Sequence, residues 1–577
     1  VRIQDGIEAA RDGDTVLVLP GRYVERLDFL GKAITVRSDG DGDPSTHDLS
    51  TEALVDGNRE IPVLVFFIAR EKRDSVLEGF TIANGWQIGI WCEGSSPTIR
   101  HNVIGPGRFT KAIHSHSASR PLIAENTITG NGTGVSSDTS TIVGNHVEGN
   151  AVAIFCSRSQ VLRNTIVDGG GIEAFGSSTV MGNIVSGTSG SGIYCANGTV
   201  IGNIISQSKT WGGGVRVEGP ALVVDNLIIG NRGNNGAGIF VHAFSTAIIR
   251  NNRIRNNTAD QSGGGIYLDY RAKPLIEGNT LAGNSAGSGG GIACGKLCET
   301  TIQGNTIAGN SAASGAGIYC REDTRVSIRH NVISSNRASA RGGGIMSASR
   351  IIGMIEANEF SVNEAEQEGG AISCDYARDL RIMANHFREN TAGVGGAVHL
   401  FGGNAVIERN EFSLNEAEEG GAIYGIRDAT LGLAGSVFLE NGAGAYGGGI
   451  HVDDCVLSLR NNTFTRNKAG AGGGGLPCFN ASQVTLVSEI LWKNVATTGQ
   501  EIYIGAEPAC ARLAVSYSDL DLDHVFVHPG CTLDVGPGMI DTDPLFIDAD
   551  AGDVGLLRES ECIDAADPTD VPCDASI

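Results

Sequence analysis

One pattern recurs about every 26 residues through most of this chain. An asparagine is followed two residues later by an apolar side chain and five residues later by a second asparagine. A glycine run then ends in Ile or Val. One copy runs Asn279-Thr280-Leu281-Ala282-Gly283-Asn284 and closes with Gly289-Gly290-Gly291-Ile292. The next runs from Asn305 to Asn310 and closes with Gly315, Gly317 and Ile318. Self-similarity at such a period is the mark of a solenoid, in which each repeat packs only on its neighbours. Any site must therefore lie on a lateral face or at an end.

The closing Ile or Val serves as an anchor. Anchors run from Ile90, Ile113, Val135 and Ile154 through Val215, Ile239 and Ile266 to Ile450, Leu476 and Ile502, at spacings of 18 to 27 residues. Short apolar segments separated by Asn and Gly read as strands joined by turns, and three fit in one repeat. Each repeat is then one coil of a parallel β-helix, about 20 coils in all. Asn tolerates a left-handed turn, and its amide can bond the Asn of the next coil. Helical repeats are excluded by the lack of 3.6-residue periodicity and by 83 glycines. A propeller needs about 40 to 45 residues per blade.

The net charge is −23, which argues against nucleic acid or anionic membranes as partners. No apolar run reaches the ~18 residues of a membrane span. High Asn, Gly, Ser and Thr resemble secreted repeat proteins, so an extracellular or cell-surface location is expected. Seven of the thirteen cysteines (Cys92, Cys156, Cys195, Cys294, Cys320, Cys374 and Cys478) sit two residues after an anchor. A strand's two-residue period points that position inward, so a row of buried thiols is expected. Cys510 with Cys531, and Cys562 with Cys573, fall in the tail, where disulfides are expected.

Residues 1–60 read as an N-terminal cap and first coils, with Ile3, Ile7 and Ala10 on one face of a short helix. Residues 61–505 carry the repeats. Residues 506–577, rich in Asp and Pro, read as a tail folded over the last coil. Open strand edges favour stacking unless capped, so a head-to-tail homopolymer through this tail is a further expectation.

The opening IQDGIEAARDGDTVLVLPGRYVE, the segments Gly31–Ser38 (GKAITVRS) and Leu77–Gly85 (LEGFTIANG), and the closing Asp543–Asp548 (DPLFID) and Cys562–Pro568 (CIDAADP) resemble the pectate-lyase-like superfamily. That resemblance spans the chain and implies an all-β, right-handed parallel β-helix. It does not single out an activity, because the superfamily includes lyases, hydrolases, esterases, adhesins and phage fibres. A narrower resemblance pairs Phe-x-x-Asn (Phe360–Asn363, Phe387–Asn390, Phe412–Asn415) with Gly-Gly-Ala-Ile (Gly369–Ile372, Gly420–Ile423). That pairing is similar to polymorphic outer-membrane adhesins.

Chemistry is sought on the outward positions of the anchor strands. One residue after the anchors come Trp91, His114, Phe155, Tyr194, Arg216, Phe240, Tyr267, Tyr319, Tyr424, His451 and Tyr503, an aromatic row in a chain with only 6% aromatics. Such a row suits stacking on sugar rings, contact with another chain, or simple stacking along the sheet. Three residues after the anchors come Glu93, His116 and Asp138, and then Glu218, His242 and Asp269. At a coil rise of about 4.8 Å, Glu218 and Asp269 would stand about 9.6 Å apart, near the upper carboxylate gap of an inverting glycosidase. Arg216 and Arg271 could neutralise an acidic sugar. The bland alternative is a ladder in which His relieves carboxylate repulsion. Lys111, beside His114 and His116, is a candidate lyase base. Asp39, Asp41 and Asp43 alternate as in calcium loops, so Ca2+ is considered there, although Ser50 stands where an EF-hand has Glu. The uniform coil length leaves few long loops for groove walls. The expected function is therefore a structural, adhesive or glycan-binding rod acting on a polysaccharide or cell-surface glycan, with a polysaccharide hydrolase or lyase as the alternative.

Overall fold

The computed structural model describes residues 2–39, 53–107, 109–209, 212–506, 509–563 and 565–567. The chain is an all-β parallel β-helix of about 18 turns. It divides into two units, one of Val1–Asp260 with Gly265–Tyr267 and one of Gln261–Gly264 with Leu268–Ile577. Asp41 and Asp43 lie outside the described residues, and Asp39 is an exposed residue following the strand Thr35–Ser38.

In the first unit a helix, Ile3–Ala9, buries Ile3 and Ile7. Charged side chains satisfy both of its ends, as free helix termini require. Glu25 accepts from the Ile3 and Gln4 amides at 2.8 and 3.1 Å, and Lys32 Nζ donates to the carbonyls of Ile7, Glu8 and Ala10. Each coil then has three faces. The anchor face stacks strands such as Lys111–His116, Thr133–Ser137 and Val152–Ser157 with Ile113, Val135 and Ile154 in register. Strands of the second and third faces are mostly three residues long and bury only the middle one, as in Leu222–Val224 and Leu227–Ile229. One inward apolar residue per short strand is enough, because the coil above supplies the next.

The asparagines fix the corners, but not in the way the turn propensity of Asn suggests. The left-handed residue is the one before the asparagine: Glu125, Arg163 and Asp225 have φ of 54°, 51° and 57° before Asn126, Asn164 and Asn226. The asparagine itself turns inward. Asn145 Oδ1 accepts from both the backbone N–H and Nδ2 of Asn126, at 2.9 and 3.0 Å. Asn145 Nδ2 in turn donates to Asn164 Oδ1 at 2.9 Å and to the Ile123 carbonyl at 2.9 Å. The buried amide of Asn145 thus has its Oδ1 accepting and its Nδ2 donating, as burial demands.

From Arg232–Asn235, late in the first unit, a fourth short strand is inserted before the glycines, and the second unit carries it on. Ser285–Ser288, Ser311–Ser314 and Arg337–Arg341 pair in parallel, as do Glu416–Glu419 and Gly442–Tyr446. The glycines that follow have two physical reasons. Gly289 sits at φ +64°, and a Cβ on Gly290 would come within 2.5 Å of the Ser311 carbonyl. On the third face Phe360, Phe387, Phe412, Phe438 and Phe464 stack nearly parallel, with centroids 4.4 to 4.8 Å apart.

Two asparagine ladders of this unit reach buried glutamates; the Glu489 N–H passes its ladder on to Ser518 Oγ at 3.0 Å, whereas Glu501 ends the other. Asn462 donates to Glu489, and Asn494 donates to Glu501 through both its backbone N–H and Nδ2. Parallel pairing continues past residue 505, through Val525–Val527 and Thr532–Val535, so the coils extend into the segment read as tail. Beyond it, an antiparallel pair, Phe546–Asp548 with Asp553–Leu556, follows. The described residues of this part turn back along a flank, where Cys562 Sγ also bonds Asp519. Arg466 bonds Asp550 and the Ala549 carbonyl, and the Asp567 amide bonds Ser488 Oγ.

All seven cysteines in anchor register are buried free thiols. Cys510, Cys531 and Cys562 are free as well, which corrects the expected Cys510–Cys531 disulfide; Cys573 lies outside the described residues. Among the described residues no helix is long and apolar enough to cross a membrane.

Candidate functional site: an aromatic anchor face

The outward row behaves differently along the chain. In the first unit it stays half-exposed and its rings touch in succession. Trp91 packs edge-on against His114 and His116, at centroid distances of 5.6 and 5.3 Å. Lys111 Nζ lies 3.4 Å from His114 Nδ1. Burial, and then the Lys111 charge, hold His114 below the usual imidazole range. Further along, Phe155 meets Phe175 at 5.2 Å, Phe175 meets Tyr194 at 5.3 Å, and Phe240 meets Tyr267 at 5.4 Å. Arg216 lies over both Tyr194 and Phe240, 5.5 and 5.7 Å from their centroids. A shallow groove of about 450 Å³ opens beside them, walled by Glu173, Tyr194 and Arg216 over the backbone of Gly170, Gly171 and Gly190.

Of the proposed catalytic trio, Glu218 and His242 join this cluster already engaged. The Tyr194 hydroxyl donates to Glu218 Oε2 at 2.6 Å, and Arg216 Nε donates to His242 Nε2 at 2.5 Å. Burial, and then the Glu218 carboxylate, push the Tyr194 phenol up to about 12. Asp269 belongs to the second unit, where its carboxylate accepts from the Tyr270 amide at 2.8 Å. Arg271, also in that unit, stacks on Tyr270 at 5.1 Å. Phe175, three residues after its anchor, is a ring the row of anchor neighbours leaves out.

In the second unit Tyr319 is half-buried, but Met346, Ser373, His399, Tyr424 and His451 are all buried. Tyr424 is therefore not an open platform residue: its ring stacks on His399 at 5.7 Å and meets His451 at 4.8 Å. Charged residues of the inserted strand close the row. Glu368 reaches His399 Nδ1 at 3.3 Å while pairing with Arg341, which also bonds Asp375. Where this cover ends, a cavity of about 240 Å³ opens among Glu419, Tyr446, His451, Asp453, Asn480 and Tyr503. Most of these residues come from strands and turns of several coils, and only His451 and Tyr503 stand in the row read from sequence. Among the described residues no group of three or more His, Cys, Asp or Glu is arranged to hold a metal.

A parallel β-solenoid with in-register anchor strands, buried asparagine ladders and one aromatic lateral face defines a β-helix protein. The chain belongs to the family described as right handed beta helix region, whose model matches residues 65–152, 151–307 and 288–431. No curated protein matches it. Among solved structures it is similar to an arginine-to-alanine mutant of the PL6 family alginate lyase AlyGC. The identity is 10%, the match covers 93% of this chain and 98% of that one, and the TM-score is 0.29.

Proposed function

We propose that this protein binds a polysaccharide or cell-surface glycan outside the cell, along the anchor face of its first unit. The observation that carries the reading is the run of half-exposed rings around Arg216, spaced by successive coils. Aromatic faces suit the C–H faces of sugar rings, and the guanidinium offers donors to hydroxyl or carboxylate oxygens. No single half-exposed ring buries enough surface to hold a sugar alone, so affinity comes from several coils acting together. Glu218 and His242, already bonded to Tyr194 and Arg216, serve in this reading to orient those two contacts.

Affinity electrophoresis through polygalacturonate and through a neutral β-glucan tests it. Phe155→Ala and Phe240→Ala should each weaken retardation in at least one gel, and the double variant should abolish it. Unchanged mobility of the double variant in both gels would refute the reading. Depolymerisation of either polymer that vanishes in Glu218→Gln would instead support the hydrolase or lyase alternative.

A further inference from the structure

The cavity in the second unit combines carboxylates and unpaired acceptors with aromatic walls, and His528 also lines it. Glu419 and Asp453 each bring a carboxylate, and among the described residues no Lys or Arg lines the space. His451 is 3% exposed, yet its Nδ1 has no hydrogen-bond partner; the nearest carboxylate oxygen, Glu419 Oε2, is 4.0 Å away. The ring does bond the Tyr446 backbone, a contact that falls to Nε2 because Nδ1 is unpaired. In the neutral imidazole Nδ1 is then a bare acceptor. Burial holds His451 down to about 3, so the ring supplies no positive charge of its own. Asn480 repeats the pattern: its Nδ2 is committed to Asp453, and its Oδ1 is buried without a partner. Glu419 is driven up by burial first and then by the charges of Asp453 and Glu418, the sign of an uncompensated negative site. Aromatic walls complete it. Tyr446 packs against Phe479 at 5.0 Å and Tyr503 at 5.5 Å, and such rings present electron-rich faces.

We infer that this cavity binds a primary ammonium group, carried by a ligand no larger than a single amino sugar. Positive charge offsets the two carboxylates, and the ammonium N–H donors answer the unpaired acceptors of His451 and Asn480 and the carboxylate of Glu419, which the Tyr424 hydroxyl already bonds on one side. A quaternary ammonium has the charge but not the donors. A metal ion lacks the ligand set. The site is separate from the anchor face of the first unit and does not depend on it.

Isothermal titration of the full chain at pH 7 with glucosamine, glucose and benzylamine provides the test. Glucosamine should bind at least tenfold more tightly than glucose, which differs in carrying a hydroxyl for the ammonium. Glu419→Gln and Asp453→Asn should each weaken glucosamine about tenfold, the scale of a lost charge-assisted hydrogen bond. Benzylamine binding as well as glucosamine assigns the site to ammonium groups in general, and weaker benzylamine assigns it to the amino sugar. Should a variant fail to fold, the ring ¹⁵N resonances of His451 in the native chain must still shift with glucosamine and not with glucose. Equal binding of glucose and glucosamine, no binding of either amine, or unchanged affinity in both folded variants overturns the inference.

Discussion

Replacing Glu501 by Gln should make the protein more stable above neutral pH and remove part of its pH dependence. Glu501 is 3% exposed, and burial raises its carboxyl from the ordinary 4.5 to about 7, against the opposing hydrogen bonds from Asn494; Asp521 and Asp519 add repulsion. Because the folded value is the higher one, the folded chain holds the proton more tightly than the unfolded chain. The associated stability is complete below pH 4.5, is lost as pH rises from 4.5 to 7, and is absent above 7. Two and a half pH units at 1.36 kcal/mol each amount to about 3 kcal/mol. Glutamine carries no charge and so escapes that loss, and its single Oε1 can accept both Asn494 donors as the Oδ1 of each ladder asparagine does. Urea unfolding of the wild type and Glu501→Gln at pH 4, 5, 6, 7 and 8, with equal m-values required, gives the comparison directly. The difference should grow in favour of the variant from pH 5 to 7 and then level off. Glu489, buried and raised in the same manner, titrates in both proteins and cancels. A variant that is less stable at pH 8, or one with the wild-type pH slope, would refute the argument.

Other outcomes follow from packing. The buried thiols of Cys195 and Cys374, raised to about 11 and about 12 by burial, should resist iodoacetamide in the native state while Cys531 is modified first; mass spectrometry after brief labelling reads this, and rapid modification of Cys195 would contradict the strand register. Phe387→Ala opens a hole in the third-face stack between Phe360 and Phe412 and should cost about 3–5 kcal/mol, with Phe387→Leu costing less, by denaturant midpoint.

The period of the chain, the inward phase of the anchors and the cysteine row were legible because each is a local residue pattern repeated at a constant offset. The corners were legible only in part. Any residue type can occupy the left-handed position before a ladder asparagine, Val362 before Asn363 included, so no side chain announces it. Substitutions hid the ladder's continuation: Ser436 and Glu489 take the places of asparagines by offering one oxygen at the same height. The exposure of the aromatic row was not readable from strand phase. Outward orientation holds for Tyr194 and Tyr424 alike, but whether Glu368 and Arg341 reach over a stretch depends on the inserted strand before it. The acceptor-lined cavity was hidden for a related reason, since Glu419, Asp453 and Asn480 are far apart in the sequence and meet only through coil stacking. The flank-bound course of the tail rests on pairs such as Arg466 with Asp550, which no repeat predicts.

The asparagine ladders are electrically polar. In each, the amide N–H points toward the following coil and the carbonyl toward the preceding one, so the small dipoles align instead of cancelling. The C-terminal end of such a column is therefore its positive pole, much as the N-terminus is in a helix. Glu501 stands there, and a carboxylate can accept the last donation without passing one on from its side chain. An amide at that place invites another rung, whereas an acid closes the column. The residue that ends the ladder thus acts as a chemical full stop for that column, while the backbone coils carry on past it.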